Sequence, residues 1–151
     1  MANLVQWNTT STSPLVNFMT TTIATLTTGT LSAVSSVTQV NSSQKRVYCD
    51  AELLVGTTVG PFGTGASFNL YAVPLVGSAA AETNVTQLQP MAVFPVTTST
   101  SNSQHRITRT LITVSPADFT VALENQTTQA LSTGSGANTL GLAFYDINLN
   151  A

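Results

Sequence analysis

An all-β fold, an antiparallel β-sandwich of jelly-roll-like form with about eight strands, is what this sequence predicts. Strict alternation of apolar and polar residues is the first reason. Val47, Cys49, Ala51, Leu53 and Val55 alternate with Tyr48, Asp50 and Glu52, the period-2 signature of a half-buried strand. The second is the abundance of Thr and Val, whose branched side chains are stiff at χ1 and suit the pleated surface of a sheet. The third is the punctuation: short apolar runs are separated throughout by Gly, Pro, Ser and Asn clusters, and no segment sustains a helical pattern.

Along the chain, residues 1–44 carry no charged side chain. Residues 1–17 read as an extended N-terminal arm, followed by a single sandwich domain over 18–151. Leu15, Phe18, Met19, Ile23 and Leu26 have roughly helical spacing. The threonines between them oppose a helix, so the reading is a strand near 18–27. Gly29 turns the chain into a second strand over 31–40. Residues 45–56 form the alternating strand, with Val47 and Cys49 on its apolar face. The Gly-rich stretch 56–65 is a loop with Phe62 near its tip, and Phe68, Leu70 and Ala72 mark a strand over 66–73. Pro74 relegates the rest of that run to a sheet edge. A strand near 85–96 is interrupted by Pro90 and Pro95. His105–Val114 and the run from Phe119 to Leu123 are further strands, and Gly134 to Gly136 opens a loop. The last strand spans about 138–149. Its apolar parity switches from Phe144 to Tyr145, which predicts a bulge near Tyr145-Asp146.

The 151 residues fit one domain, able to bury roughly 70% of its unfolded surface. Only 7% of residues are charged and the net charge is −2. Charge keeps free monomers apart, so a near-neutral, Thr-rich coat suits a chain that packs against other copies or another protein. The same balance argues against nucleic acid, which needs a basic footprint. No apolar run approaches a membrane span, and the segment from Met1 to Thr10 lacks the basic start and apolar stretch of a secretory signal. Asn-X-Ser/Thr triplets begin at Asn8, Asn41, Asn84 and Asn125, and read as chance in so Ser/Thr-rich a chain.

The residues that could carry chemistry are few. Cys49 is the single cysteine and reads as a buried small hydrophobe. His105 has no second His or Cys pair to complete a transition-metal site. Asp50 and Glu52 share a strand face about 7 Å apart, the geometry of any solvated strand. The Gly-rich loop has neither the Lys nor the strand–helix setting of a phosphate loop. No catalytic, cofactor or metal site is therefore expected, and the chain does not read as an enzyme. The candidate residues are instead partner contacts. Trp7, Leu15 and Val16 lie on the arm and Phe62 on the loop. Lys45, Arg46, Arg106 and Arg109 begin two strands and would form one cationic patch facing Asp50 or Glu52 if those strands are neighbours.

Several runs resemble small virion proteins of tailed bacteriophages. They are the march from Leu31 to Asn41, Tyr48-Cys49-Asp50-Ala51-Glu52-Leu53 and Phe68-Asn69-Leu70-Tyr71. They also include Phe119-Thr120-Val121-Ala122-Leu123-Glu124-Asn125-Gln126-Thr127, then Ala130-Leu131 and the closing Phe144-Tyr145. The resemblance implies a head decoration, or cement, protein made in the host cytoplasm and carried on the virion. It also implies binding to the major capsid protein and to itself, as a homotrimer first and a homodimer second. The alternatives are a tail- or fibre-associated virion protein and a carbohydrate-binding module using Trp7, Tyr48, Phe62 or Tyr71.

Overall fold

A computed structural model describes residues 4–8, 15–20, 23–56, 61–77, 79–80, 88–97, 104–131 and 138–150, and among these it has nine strands and one short helix. In order they are β1 (Leu4–Asn8), β2 (Val16–Met19), α1 (Asn41–Gln44), β3 (Tyr48–Val55) and β4 (Ser67–Val76). Next come β5 (Ala79–Ala80), β6 (Ala92–Pro95), β7 (His105–Thr113), β8 (Phe119–Asn125) and β9 (Thr139–Asn150). They form two antiparallel sheets. The five-stranded sheet runs β1-β9-β3-β7 with β2 also on β9, and the four-stranded one joins β5, β6 and β8 to β4. The protein is an all-β sandwich, as its alternation predicts. The loop expected at Gly134 to Gly136 lies outside the described residues.

The core lies between the sheets. Cys49, Ala51, Leu53 and Val55 of β3 and Leu140 and Leu142 of β9 are buried on one side. Phe68 and Leu70 of β4, Phe94 of β6, and Phe119, Val121 and Leu123 of β8 are buried on the other. The parity reading of Cys49 holds. Val47, expected on the same face, is 47% exposed, because the regular strand begins only at Tyr48, after the chain has turned through Lys45 in the left-handed region (φ 52°).

The strand expected over 31–40 is replaced by a looser structure with a clear physical cause. This segment runs along the free edge of β8 and meets it as a ladder only at Leu31 and Gln39. Between them, Ser32 N–H donates to the Leu123 carbonyl and Ser35 N–H to that of Val121. In return Leu123 N–H donates to Ser32 Oγ (2.9 Å) and Val121 N–H to Ser35 Oγ (3.1 Å). Serine hydroxyls thus stand in for backbone carbonyls, the competition that makes Ser a poor element former. They leave these inward-facing residues of β8 satisfied without a regular strand. The expected strand at 18–27 is likewise shorter. It starts two residues earlier, at Val16, and ends at Met19. Residues 41–44, expected to be helix-free, make one turn of helix.

Pro74 does not put its run at a sheet edge, since β4 has β8 on one side and β5 and β6 on the other. β4 continues to Val76, pairing Pro74 with Phe119 of β8. Leu75 N–H donates towards β8 and the Leu70 carbonyl accepts from Met91 on the opposite side. Period-2 geometry then turns residue 74's nitrogen away from β8. It faces the gap between the β6 ladder, which ends at Leu70, and the β5 ladder, which starts at Leu75. A missing N–H costs nothing there. On the outer face of this sheet Tyr71, Val73 and Ala122 form a second buried cluster, covered by Leu31 and Leu88.

The bulge expected at Tyr145-Asp146 is elsewhere. The β3–β9 register is unbroken from Tyr48 opposite Tyr145 to Leu54 opposite Thr139. What changes at Asp146 is the partner, because residues 146–150 pair with β1. Register shifts occur instead in β2, between Asn17 and Met19, and in β7. Cys49 faces Ile112 but Ala51 faces Arg109, so β7 has one extra residue there, and Leu111 adopts φ 56°. Its side chain is 55% exposed and so loses little packing if removed. Leu111→Gly is expected to raise stability by about 1 kcal/mol, because glycine meets no Cβ penalty in this region. A urea midpoint that falls instead would show that the leucine side chain has a packing role.

Candidate functional site

The antiparallel register decides where the cations go. Lys45 and Arg46 precede β3, next to the end of β7. Arg106 and Arg109 sit near the start of β7, opposite Leu54 and Ala51. Neighbouring antiparallel strands begin at opposite ends, so the single cationic patch expected from sequence does not form. Tyr48 to Leu54 alone spans roughly 20 Å.

At the β7 end the arginines are committed to the fold. Arg106 pairs with Glu52 at 3.3 Å, with the arginine side chain 64% exposed. An exposed pair of this kind is worth about 0–1 kcal/mol. Arg109 Nε donates to the Val93 carbonyl of β6 at 2.6 Å, joining the edges of the two sheets. With the bulge, it also blunts β7 as a pairing edge.

The bulge is tied to the outer face of the sheet. Tyr145 Oη donates to Asp50 Oδ1 (2.8 Å), and Leu111 N–H reaches both Asp50 Oδ1 (3.1 Å) and Tyr145 Oη (3.3 Å). Burial, reinforced by the Asp50 carboxylate, pushes the Tyr145 phenol up to about 12. Tyr48 stacks on Tyr145 at 6.1 Å. A shallow groove of about 280 Å³ beside them is lined by Leu15, Asp50, Glu52, Thr108, Thr110 and Ala143, among others. Asp50 and Glu52 do share this face, as predicted. Both carboxylates are already bonded to the fold.

The opposite end of the β3–β7 pair holds a larger hollow. Asn41, fully buried, is its hub. Its amide nitrogen donates to the Arg46 and Ser115 carbonyls, and its oxygen accepts Arg46 N–H at 2.7 Å. Asp118 accepts Ser42 N–H at 2.7 Å, which holds its carboxyl below the usual range. This scaffold fixes a cavity of about 550 Å³ lined by Ser42, Lys45, Arg46, Val47, Val114 and Pro116.

The remaining candidates divide. Phe62, expected as an exposed contact, is 1% exposed. It packs edge-on against Phe68 (6.1 Å) and His105 (5.1 Å), because the Gly-rich loop folds its one large side chain back into the core. His105 is therefore an aromatic neighbour of Phe62. Leu15 lies against Gly141, and Val16 is 45% exposed. Trp7 lies on β1 opposite Ile147 of β9; its side chain is outside the described residues. The arm segment 4–8 is thus a strand on the outer half of β9, and the arm's last two residues, Val16 and Asn17, already begin β2.

Two asparagines of the chance triplets have structural roles instead. Asn41 and Asn125 are fully buried, so neither amide is open to a glycan in the folded chain. Nothing in the local sequence separates such hubs from surface asparagines.

No known family, curated protein or solved structure matches this chain. Among the described residues no three His, Cys, Asp or Glu side chains gather to hold a metal ion. No helix among them is long and apolar enough to cross a membrane.

Proposed function

We propose that this chain is a structural protein of a phage particle, a decoration protein that binds the capsid and braces neighbouring subunits. What supports this reading is how the chain uses its few charges. Among the described residues, Asp50, Glu52, Arg106, Arg109, Asp118 and Glu124 all bond to neighbouring elements or side chains of the fold. They act as internal ties and leave the surface to Thr, Ser and exposed apolar residues. Val16, Val34, Val40, Val47, Val93 and Leu111 are each at least 39% exposed. Covering any of them with a partner removes apolar surface from water. The mechanism is passive: each copy adds modest contacts, and simultaneous contacts multiply in strength.

Mixing the purified protein with shells of its source particle, then imaging by electron microscopy, tests this. The expected result is extra density on the outside of the head. Density confined to the tail, or no binding, overturns the decoration reading. Light scattering of the free protein is expected to give three times the 15.7 kDa chain mass.

A further inference from the structure

We propose that the outer edge of β1 is a pairing edge for a second copy of this chain, the two β1 strands joining antiparallel about a twofold axis centred on Gln6. The proposal deepens the decoration reading and rests on it only for where the copies meet. β1 ends the five-stranded sheet, with β9 beside it. Among the described residues no strand flanks its other side, and β9 is the one strand it packs against at length. A sheet edge left in this way is a template for another chain unless charge, proline or a bulge guards it. The opposite end of the same sheet is guarded. β7 carries the bulge at Leu111, and Arg109 is bonded across to the Val93 carbonyl of β6. β1, the run Leu4-Val5-Gln6-Trp7-Asn8, has no charge and no proline, and its register with β9 is unbroken.

The strand that fits this edge is β1 itself. Its register with β9 puts Val5, Trp7, Ile147 and Leu149 on one face and Gln6 and Asn8, with Asn148 and Asp146, on the other. Antiparallel pairing centred on Gln6 is the self-pairing register that uses all five residues. It sets Val5 opposite Trp7 of the second copy, a β-branched residue against an aromatic one. The apolar face then continues across both copies. No like charges meet, because β1 carries none. Beyond Tyr145 the β3 ladder has ended and β9 runs with β1. Pairing turns this two-stranded ladder into four strands, β9-β1-β1-β9. Two strands alone are marginal in water, whereas three or more with an apolar face are not. A twofold contact is also self-complementary and closed, so it ends in a pair of copies and not in a fibre. Five residues a copy fall well short of the roughly 1,000 Å² of a free-standing interface. Trimers in dilute solution therefore keep their mass, and the pairing takes hold between trimers that a shell holds close together.

Cysteine cross-linking of the full chain in concentrated solution tests the register. Gln6→Cys faces itself across the axis, within the reach of a disulfide. With oxidised glutathione it should link into a two-chain species about tenfold faster than Val34→Cys, because pairing raises the local concentration of one thiol beside the other. Val34 is exposed too, but lies in the segment along β8. Leu4→Cys and Asn8→Cys should link faster when mixed than either does alone, since the axis sets residue 4 opposite residue 8. Cys49 is buried and stays out of the reaction. In the unmodified chain, hydrogen exchange of the β1 amides should slow as protein concentration rises. Gln6→Lys, which sets two ammonium groups face to face, should remove that dependence. The proposal is overturned if Gln6→Cys links no faster than Val34→Cys, or if the mixture of Leu4→Cys and Asn8→Cys links no faster than its parts. It is also overturned if exchange in β1 ignores concentration. Every readout uses the free protein, so a failure here is separate from a failure to bind shells.

Discussion

Replacing Asn125 with alanine is expected to cost about 3–4 kcal/mol and to lower Tm by roughly 10 °C. The side chain sits at the inner end of β8 with no exposure. Its amide nitrogen donates to the carbonyls of Leu26 (3.1 Å) and Gln129 (2.8 Å). Its oxygen accepts the backbone N–H (2.9 Å) and hydroxyl (2.7 Å) of Thr127. One residue thereby ties the chain after β2 to the turn after β8. Truncation strands several buried polar groups at once, each worth about 1–3 kcal/mol when left without a partner. Asn125→Asp should be no milder, since it removes both donors and buries a carboxylate. Gln126→Ala, next door and exposed, should stay within about 0.5 kcal/mol. Thermal melts of the three variants check this. A mild Asn125→Ala would mean that water replaces the amide and that the turn is not held from within.

Alkaline pH should unfold the protein through Cys49. Burial, aided by the neighbouring Asp50 charge, pushes the thiol from an ordinary 9.0 up to about 12. The folded chain keeps this proton where the unfolded chain releases it. The resulting stability is complete below pH 9 and is lost as pH rises towards 12. A shift of this size amounts to an effect on the order of 4 kcal/mol. The Tyr145 phenol, raised from 10.0 to about 12, acts in the same direction. Cys49→Ala should lose about 1 kcal/mol at neutral pH from the small void. Its urea midpoint should then fall much less than the parent's between pH ~8 and ~11. Parallel decline of the two proteins would assign the alkaline loss to other groups.

The sheets are legible in the sequence wherever one face is apolar and the other is not. Cys49, Leu53 and Phe68 announce their burial by parity, and β3, β4, β7 and β8 fall near their expected places. What escapes is set by single atoms. Ser32 and Ser35 read as strand residues because their spacing fits one, but their hydroxyls take the acceptor role. Pro74 reads as the mark of a sheet edge because sequence does not show which side of β4 is left open beside it. Phe62 looks like a loop tip, since a Gly-rich stretch does not reveal that it folds inward. The cationic patch fails for a reason already present in the topology: neighbours in an antiparallel pair do not begin together. Leucine at φ 56° has no sequence signal at all, because that conformation disfavours it.

The place of β9 has a consequence for how the chain is made. All the backbone partners of the smaller sheet, including the segment laid along β8, have been synthesised by residue 125. The larger sheet has its middle strand at residues 139–150, paired with residues 4–8, 16–19 and 48–54. At ordinary elongation rates, roughly 5–20 s separates translation of β3 from translation of β9. Over that interval Leu53 and Cys49 have no β9 beside them, and every contact that β9 later makes closes a long loop. One flank of β3 therefore stays open until a strand made long after it arrives.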